Sequence, residues 1–100
     1  MYFTLEFEIG SVGTVGIPRG GIATIGIKDR GQYALSADLD GDSALLHFAK
    51  VSDIPSATVA DSQDAARLLL HPHQRTPVTD VPGLKAVEMF PPGEVPGRAR

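Results

Sequence analysis

The stretch GTVGIPRGGIATIGIKDRG, residues 13–31, decides how the chain is read, because its glycines admit three meanings. They could cradle a phosphate, form a collagen-like repeat, or punctuate strands. A dinucleotide loop needs a helix directly after the glycines, whose amides hold the pyrophosphate. Here a Pro-containing turn and another β-branched run follow. Gly10, Gly13 and Gly16 fall every third residue, but a triple helix needs that period sustained, and it stops at IPRGG. Punctuation between strands is the reading that remains.

The stretch is also an imperfect repeat. TVGIPRG at 14–20 returns as TIGIKDRG at 24–31, each copy running β-branched residue, Gly, Ile, turn, Arg-Gly. Pro18 presets φ for a turn and Gly20 tolerates positive φ, so Pro18, Arg19 and Gly20 read as a hairpin tip. Asp29, Arg30 and Gly31 read as a second tip, and Asp40-Gly41 as a third of the two-residue type. Loop length fixes register. These tips pair Ile27 with Tyr33 and Tyr33 with Phe48; Ile25 with Leu35 and Leu35 with Leu46; and Val15, Ala23, Ala37 and Ala44 in a third row. The expected core face is therefore Val15, Ala23, Ile25, Ile27, Tyr33, Leu35, Ala37, Ala44, Leu46 and Phe48. The opposite face, with Thr24, Gly26, Ala34, Ser36, Leu45 and His47, is expected to be small, polar and wet.

Upstream, YFTLEFEI alternates strictly, placing Phe3, Leu5, Phe7 and Ile9 on one side and Tyr2, Thr4, Glu6 and Glu8 on the other. It reads as a half-buried strand. Downstream, Asp61 or Ser62 caps a short helix through QDAARLLL, with Ala65, Leu68 and Leu69 as its apolar face and Pro72 as its end. LKAVEMF at 84–90 reads as a last strand. PPGEVPGRAR at 91–100 opposes both helix and central strand and reads as an extended arm. The expected class is α+β and β-dominated: an antiparallel hairpin meander of about five strands, one short α-helix, a C-terminal strand and a Pro/Gly-rich tail, with one domain over 1–90 and the tail over 91–100.

Composition narrows function. One hundred residues at 42% hydrophobic content suit a single core. Nine Lys and Arg against twelve Asp and Glu give a net charge of −3, which supplies no broad basic footprint for nucleic acid. Cysteine is absent, so there are no disulfides and no thiolate chemistry. Glu6 and Glu8 stand where a secretory leader carries positive charge, and no apolar run approaches the ~20 residues of a membrane span. The expectation is a cytoplasmic chain, or one assembled in a particle, without nucleic-acid, membrane or small-molecule partners.

Candidate chemistry is sparse. DLDGD at 38–42 resembles the start of a calcium loop, yet glycine stands fourth rather than sixth, the twelfth position is Ala49, and strands flank it. His71 and His73 in HPH offer two imidazoles with no evident third ligand, and His71 has a simpler role at the end of the expected helix. Ser, His and Asp occur without a Gly-x-Ser-x-Gly elbow. Arg19 and Arg30 fall on opposite ends of the expected meander and read as solvated turn residues rather than an anion clamp.

No cofactor, metal or catalytic residue is therefore expected. What remains is a protein that presents surface to other proteins, copies of itself included. The leading form is a structural subunit of a larger assembly, such as a decoration, cement or connector protein of a phage-like particle. The alternative is a small inhibitor of the toxin-immunity or anti-defence kind. The contact residues expected are those of the tail: Pro91, Pro92, Val95, Pro96, Arg98 and Arg100, whose restricted prolines lower the ordering cost of docking.

Overall fold

The structure, a computed structural model, describes residues 1–18, 20–53, 66–79 and 81–94. It is β-dominated and antiparallel. Eight strands, β1 (Tyr2–Phe7), β2 (Val12–Gly16), β3 (Ala23–Ile27), β4 (Gly31–Asp40), β5 (Ser43–Lys50), β6 (Ala66–Leu70), β7 (Arg75–Pro77) and β8 (Leu84–Phe90), form two four-stranded sheets. Their orders are β2-β1-β8-β7 and β3-β4-β5-β6.

The alternation in YFTLEF places Phe3 and Leu5 in the core, and both are fully buried. The strand stops at Phe7, however, and Ile9 does not continue it. Gly10 takes φ +85°, Gly10 N donates to Phe7 O at 3.0 Å and Phe7 N to Ser11 O at 2.8 Å. Glu8, Ile9 and Gly10 thus form a three-residue hairpin loop, with glycine at the left-handed position. Ile9 stands at its tip, 70% exposed. The loop turns β2 back onto β1, pairing Phe3 with Val15 and Leu5 with Gly13.

That pairing corrects the expected meander. Val15 faces Phe3, not Ala23, because β2 and β3 belong to different sheets. A turn does follow Pro18, with Gly21 N donating to Pro18 O at 3.0 Å and Gly20 at φ +70°. It passes the chain from one sheet to the other instead of closing a hairpin. Arg19 lies outside the described residues.

The next two hairpins exist, with registers shifted by two residues from expectation. The β3–β4 loop closes one residue early because Asp29 itself takes the left-handed conformation, φ +66°, which Asp tolerates. Ile25 therefore opposes Tyr33, and Ala23 opposes Leu35. In the β4–β5 loop Gly41, at φ +60°, occupies the first central position, as a type II′ turn requires. Asp40 then faces Ser43, Leu35 faces Phe48 and Ala37 faces Leu46. A shift of two keeps every side chain on its own face. Ile25, Ile27, Tyr33, Leu35, Ala44, Leu46 and Phe48 accordingly form the core. On the outer face Thr24 and Gly26 are exposed, but Ala34, His47 and Ala49 are buried.

Where a helix was expected, Ala66–Leu70 is a strand. The run ARLLL fits period two as well as period 3.6, and pairing with the free side of β5 decides the matter. Phe48 opposes Ala66, Leu46 opposes Leu68 and Ala44 opposes Leu70, so Leu68 and Leu70 turn inward and Leu69 outward. Tertiary pairing overrides the helix propensity of Ala, Leu and Arg. The expected caps Asp61 and Ser62, and Ala65, lie outside the described residues.

Leu84–Phe90 is a strand as expected, and it lies inside its sheet between β1 and β7. Leu84, Val87 and Met89 complete the core with Leu70, Val78 and Val81, so the core draws on both halves of the chain. Register slips between Glu6 and Phe7, leaving Lys85 unopposed in a bulge. Just before β8, Gly83 packs closely on the end of β3 and the loop after it: a Cβ there would lie 2.9 Å from Ile27 Cγ2 and 3.1 Å from Arg30 Cγ, and its φ is +88°.

Candidate functional site

The tail residues meet the body at a cleft. Pro91 and Pro92 line a space of about 230 Å³ with Met1, Leu39, Met89 and Phe90. The chain does not leave as an extended arm there. Gly93 takes φ +89°, and Glu94 N donates to Pro91 O at 3.2 Å. The Glu94 carboxylate returns to within 3.1 Å of His73 Nε2. The His73 ring packs edge-on against Phe90, with centroids 5.4 Å apart. Pro91, Pro92, Gly93 and Glu94 are thus a turn fastened to β7's approach and β8. Val95, Pro96, Arg98 and Arg100 lie outside the described residues.

The outer face of the β3–β6 sheet carries Asp38, Asp40, Ser43, His47 and His71. Ser43 Oγ and His71 Nδ1 are 2.8 Å apart. Their closeness follows from register, since they occupy the next cross-strand position after Ala44 and Leu70. Asp40 opposes Ser43 on the other side. The row therefore runs carboxylate, hydroxyl, imidazole, whereas a Ser-His-Asp triad places the imidazole in the middle, where the carboxylate can orient it.

His47 is 4% exposed. Its Nε2 lies 3.0 Å from Asp38 Oδ2, while its Nδ1 is buried without a partner. His47 lies four positions along β5 from Ser43, roughly 13 Å of strand, with Leu45 between them on the same face. The two polar pairs do not converge.

Neither sequence motif gathers ligands. Asp38 and Asp40 lie along β4 and Asp42 in the turn beyond it, while His71 is tied to Ser43 and His73 to Glu94. Among the described residues no group of three or more His, Cys, Asp or Glu is placed to hold a metal ion. Glu6 is engaged by Arg75, and Glu8 stands 3.8 Å from Arg30. Arg30 borders a groove of about 560 Å³ between the β1–β2 and β3–β4 loops, with the Glu8 carboxylate 3.8 Å from it.

The sheet edges differ from one another in a way that sequence reasoning missed. Strand β7 is three residues long and contains Arg75 and Pro77, two devices that discourage pairing with another chain. Strand β6 carries Arg67. Strands β2 and β3, VGTVG and ATIGI, have neither charge nor proline.

The direction of β2's free backbone groups follows from two hydrogen bonds. Ile17 N donates to Met1 O and Phe7 N to Ser11 O, both on the β1–β2 register. Bonded pairs alternate along an antiparallel ladder, so Gly13 and Val15 bond to β1. Val12, Thr14 and Gly16 turn their N–H and C=O groups outward. Among the described residues β2 has a ladder neighbour on the β1 side only. Val12 is 66% exposed, and Ile9 stands exposed beside it. The signal for this edge was Gly10, which closes the first hairpin. The chain matches no protein-family model, no curated protein and no solved structure.

Proposed function

We propose that the protein is a non-enzymatic interaction module, a structural subunit of a larger assembly of the decoration, cement or connector kind. The observation that carries this reading is the unguarded edge of β2. Natural sheets protect their edges with charge, proline or brevity, because unpaired N–H and C=O groups template the addition of another strand. This molecule protects β7 in that way, whereas β2 and β3 carry neither charge nor proline, and among the described residues β2 has a ladder neighbour on one side only, with Ile9 and Val12 exposed next to it. An assembled state gives those groups a partner. The tail, from Pro91 and Pro92 at the cleft to Val95, Pro96, Arg98 and Arg100, supplies a second contact in this proposal.

Native size in gently lysed source cells tests the reading. The protein is expected to elute well above the mass of one chain. Thr14→Lys, which places a charge on the open edge, is expected to return it to that mass with its thermal midpoint unchanged. Elution of the unaltered protein as a single chain would overturn the reading.

A further inference from the structure

We infer that β2 is a homotypic pairing strand: two copies of the chain join antiparallel through it about a two-fold axis at Thr14, fusing two four-stranded sheets into one of eight. The inference rests on the interaction reading above and names the partner as a second copy.

Only Val12, Thr14 and Gly16 present outward backbone groups. The edge ends at Gly10 in the loop on one side and at Pro18 on the other, which has no N–H to give. Three such residues, spaced by two, pair fully with their own copy in a single register: Val12 opposite Gly16 of the second copy, Thr14 opposite Thr14, Gly16 opposite Val12. All three are then bonded pairs, giving about six main-chain hydrogen bonds. Sliding either way by two residues loses at least one pair.

The side chains agree with that register. On the outer face each Val12 comes to lie over a Gly16, where the Tyr2 ring already sits 3.5 Å from the position a Cβ would take. The valine fills the notch between glycine and tyrosine. On the inner face each Val15 meets a Gly13, again large against small. Thr14 meets Thr14, a pairing that antiparallel strands favour. Residues 11–17 carry no charge, so the two-fold axis brings no like charges together. Self-pairing of β6 would instead confront Arg67 with its own copy's strand, and β7 is closed by Pro77. A contact of five residues per copy falls below the usual size of a permanent interface, so association depends on protein concentration.

The chain's lack of cysteine makes the register directly testable. Opposed Cα atoms of a bonded antiparallel pair stand ~5.5 Å apart, the span a disulfide prefers. Thr14→Cys, mildly oxidised, is expected to give a covalent dimer. Val12→Cys, whose thiols sit four residues out of register, is expected to cross-link about tenfold more slowly or less, because only the positioned pair reacts at a raised effective concentration. Sedimentation should show a monomer–dimer equilibrium for the unaltered chain and a monomer for Thr14→Lys.

Equal cross-linking by both cysteine variants, or a purified chain that stays monomeric throughout, would overturn the inference. If that monomer nevertheless elutes from cells in a large complex sensitive to Thr14→Lys, β2 serves an unlike strand and only the homotypic inference fails. If it is a single chain in cells as well, the interaction reading fails with it.

Discussion

Truncating Leu46 to alanine probes whether the two faces of the β3–β6 sheet have been assigned correctly, because its neighbour Leu45 supplies the internal control. Leu46 is fully buried and stands in an inward row between Ala37 and Leu68. Removing its branched end takes away apolar burial and leaves a cavity that Ala37 is too small to fill. Buried Leu→Ala changes cost about 2.7 to 5 kcal/mol, the larger values where the site cannot collapse. A loss of about 3 to 4 kcal/mol is expected, lowering the thermal midpoint by about 12 to 30 °C in a domain of this size. Leu45 points outward, between Asp38 and the exposed Leu69, and is itself partly exposed. Its truncation is expected to cost about 1 kcal/mol. Urea titrations of both variants, read at unchanged m-value, measure the difference. Equal losses, or a greater loss at Leu45, would show that the faces are exchanged.

Gly83→Ala is expected to cost about 1 to 3 kcal/mol in the same titration, since it forces a side chain into positive φ and against Ile27 and Arg30; an unchanged midpoint would contradict the close packing there. Ser43 is expected to remain unmodified by a fluorophosphonate, because His71 and Asp40 flank it on opposite sides instead of acting in series; a stoichiometric adduct seen by mass spectrometry would bring acyl-transfer chemistry forward. Deleting residues 91–100 removes the Glu94 contact to the largely exposed His73 and is expected to lower the thermal midpoint by no more than a few degrees while weakening assembly; a deep loss of stability would make the segment a structural strap.

Local patterns in the sequence suffice for much of this architecture. The alternation of YFTLEF and LKAVEMF, and the turn chemistry around Asp29 and Gly41, specify strands and faces without reference to the rest of the chain. A two-residue difference in register at those turns leaves the inward set intact, because side-chain period in a strand is two. Nonlocal choices were less legible. TVGIPRG and TIGIKDRG look like successive hairpins, but only pairing with β1 reveals that the first copy ends one sheet and the second begins another. ARLLL satisfies helix and strand alike until β5 offers it an edge.

The candidate site was less legible still. Sequence reading directed attention to the tail, of which Pro91 and Pro92 reach a cleft. The expected meander pairs the Val15 strand with the Ala23 strand instead of with β1, so it does not show which side of β2 is open. An edge is a property of topology: Gly10 signals the turn that pairs β2 with β1, but no residue type says which side stays open. The absence of Lys, Pro and Glu from 11–17 becomes informative only beside the topology, in which β2 has one ladder neighbour among the described residues.

Residue-resolved amide exchange along β2 tests the account most directly. In dilute protein, Gly13 and Val15, bonded to β1, are expected to exchange slowly, and Val12, Thr14 and Gly16 rapidly. Raising the concentration should slow the second set and leave the first unchanged, as the outward groups acquire a partner. Protection of Val12, Thr14 and Gly16 that is already present at high dilution, or that never appears at any concentration, would contradict an open edge that pairs with its own copy.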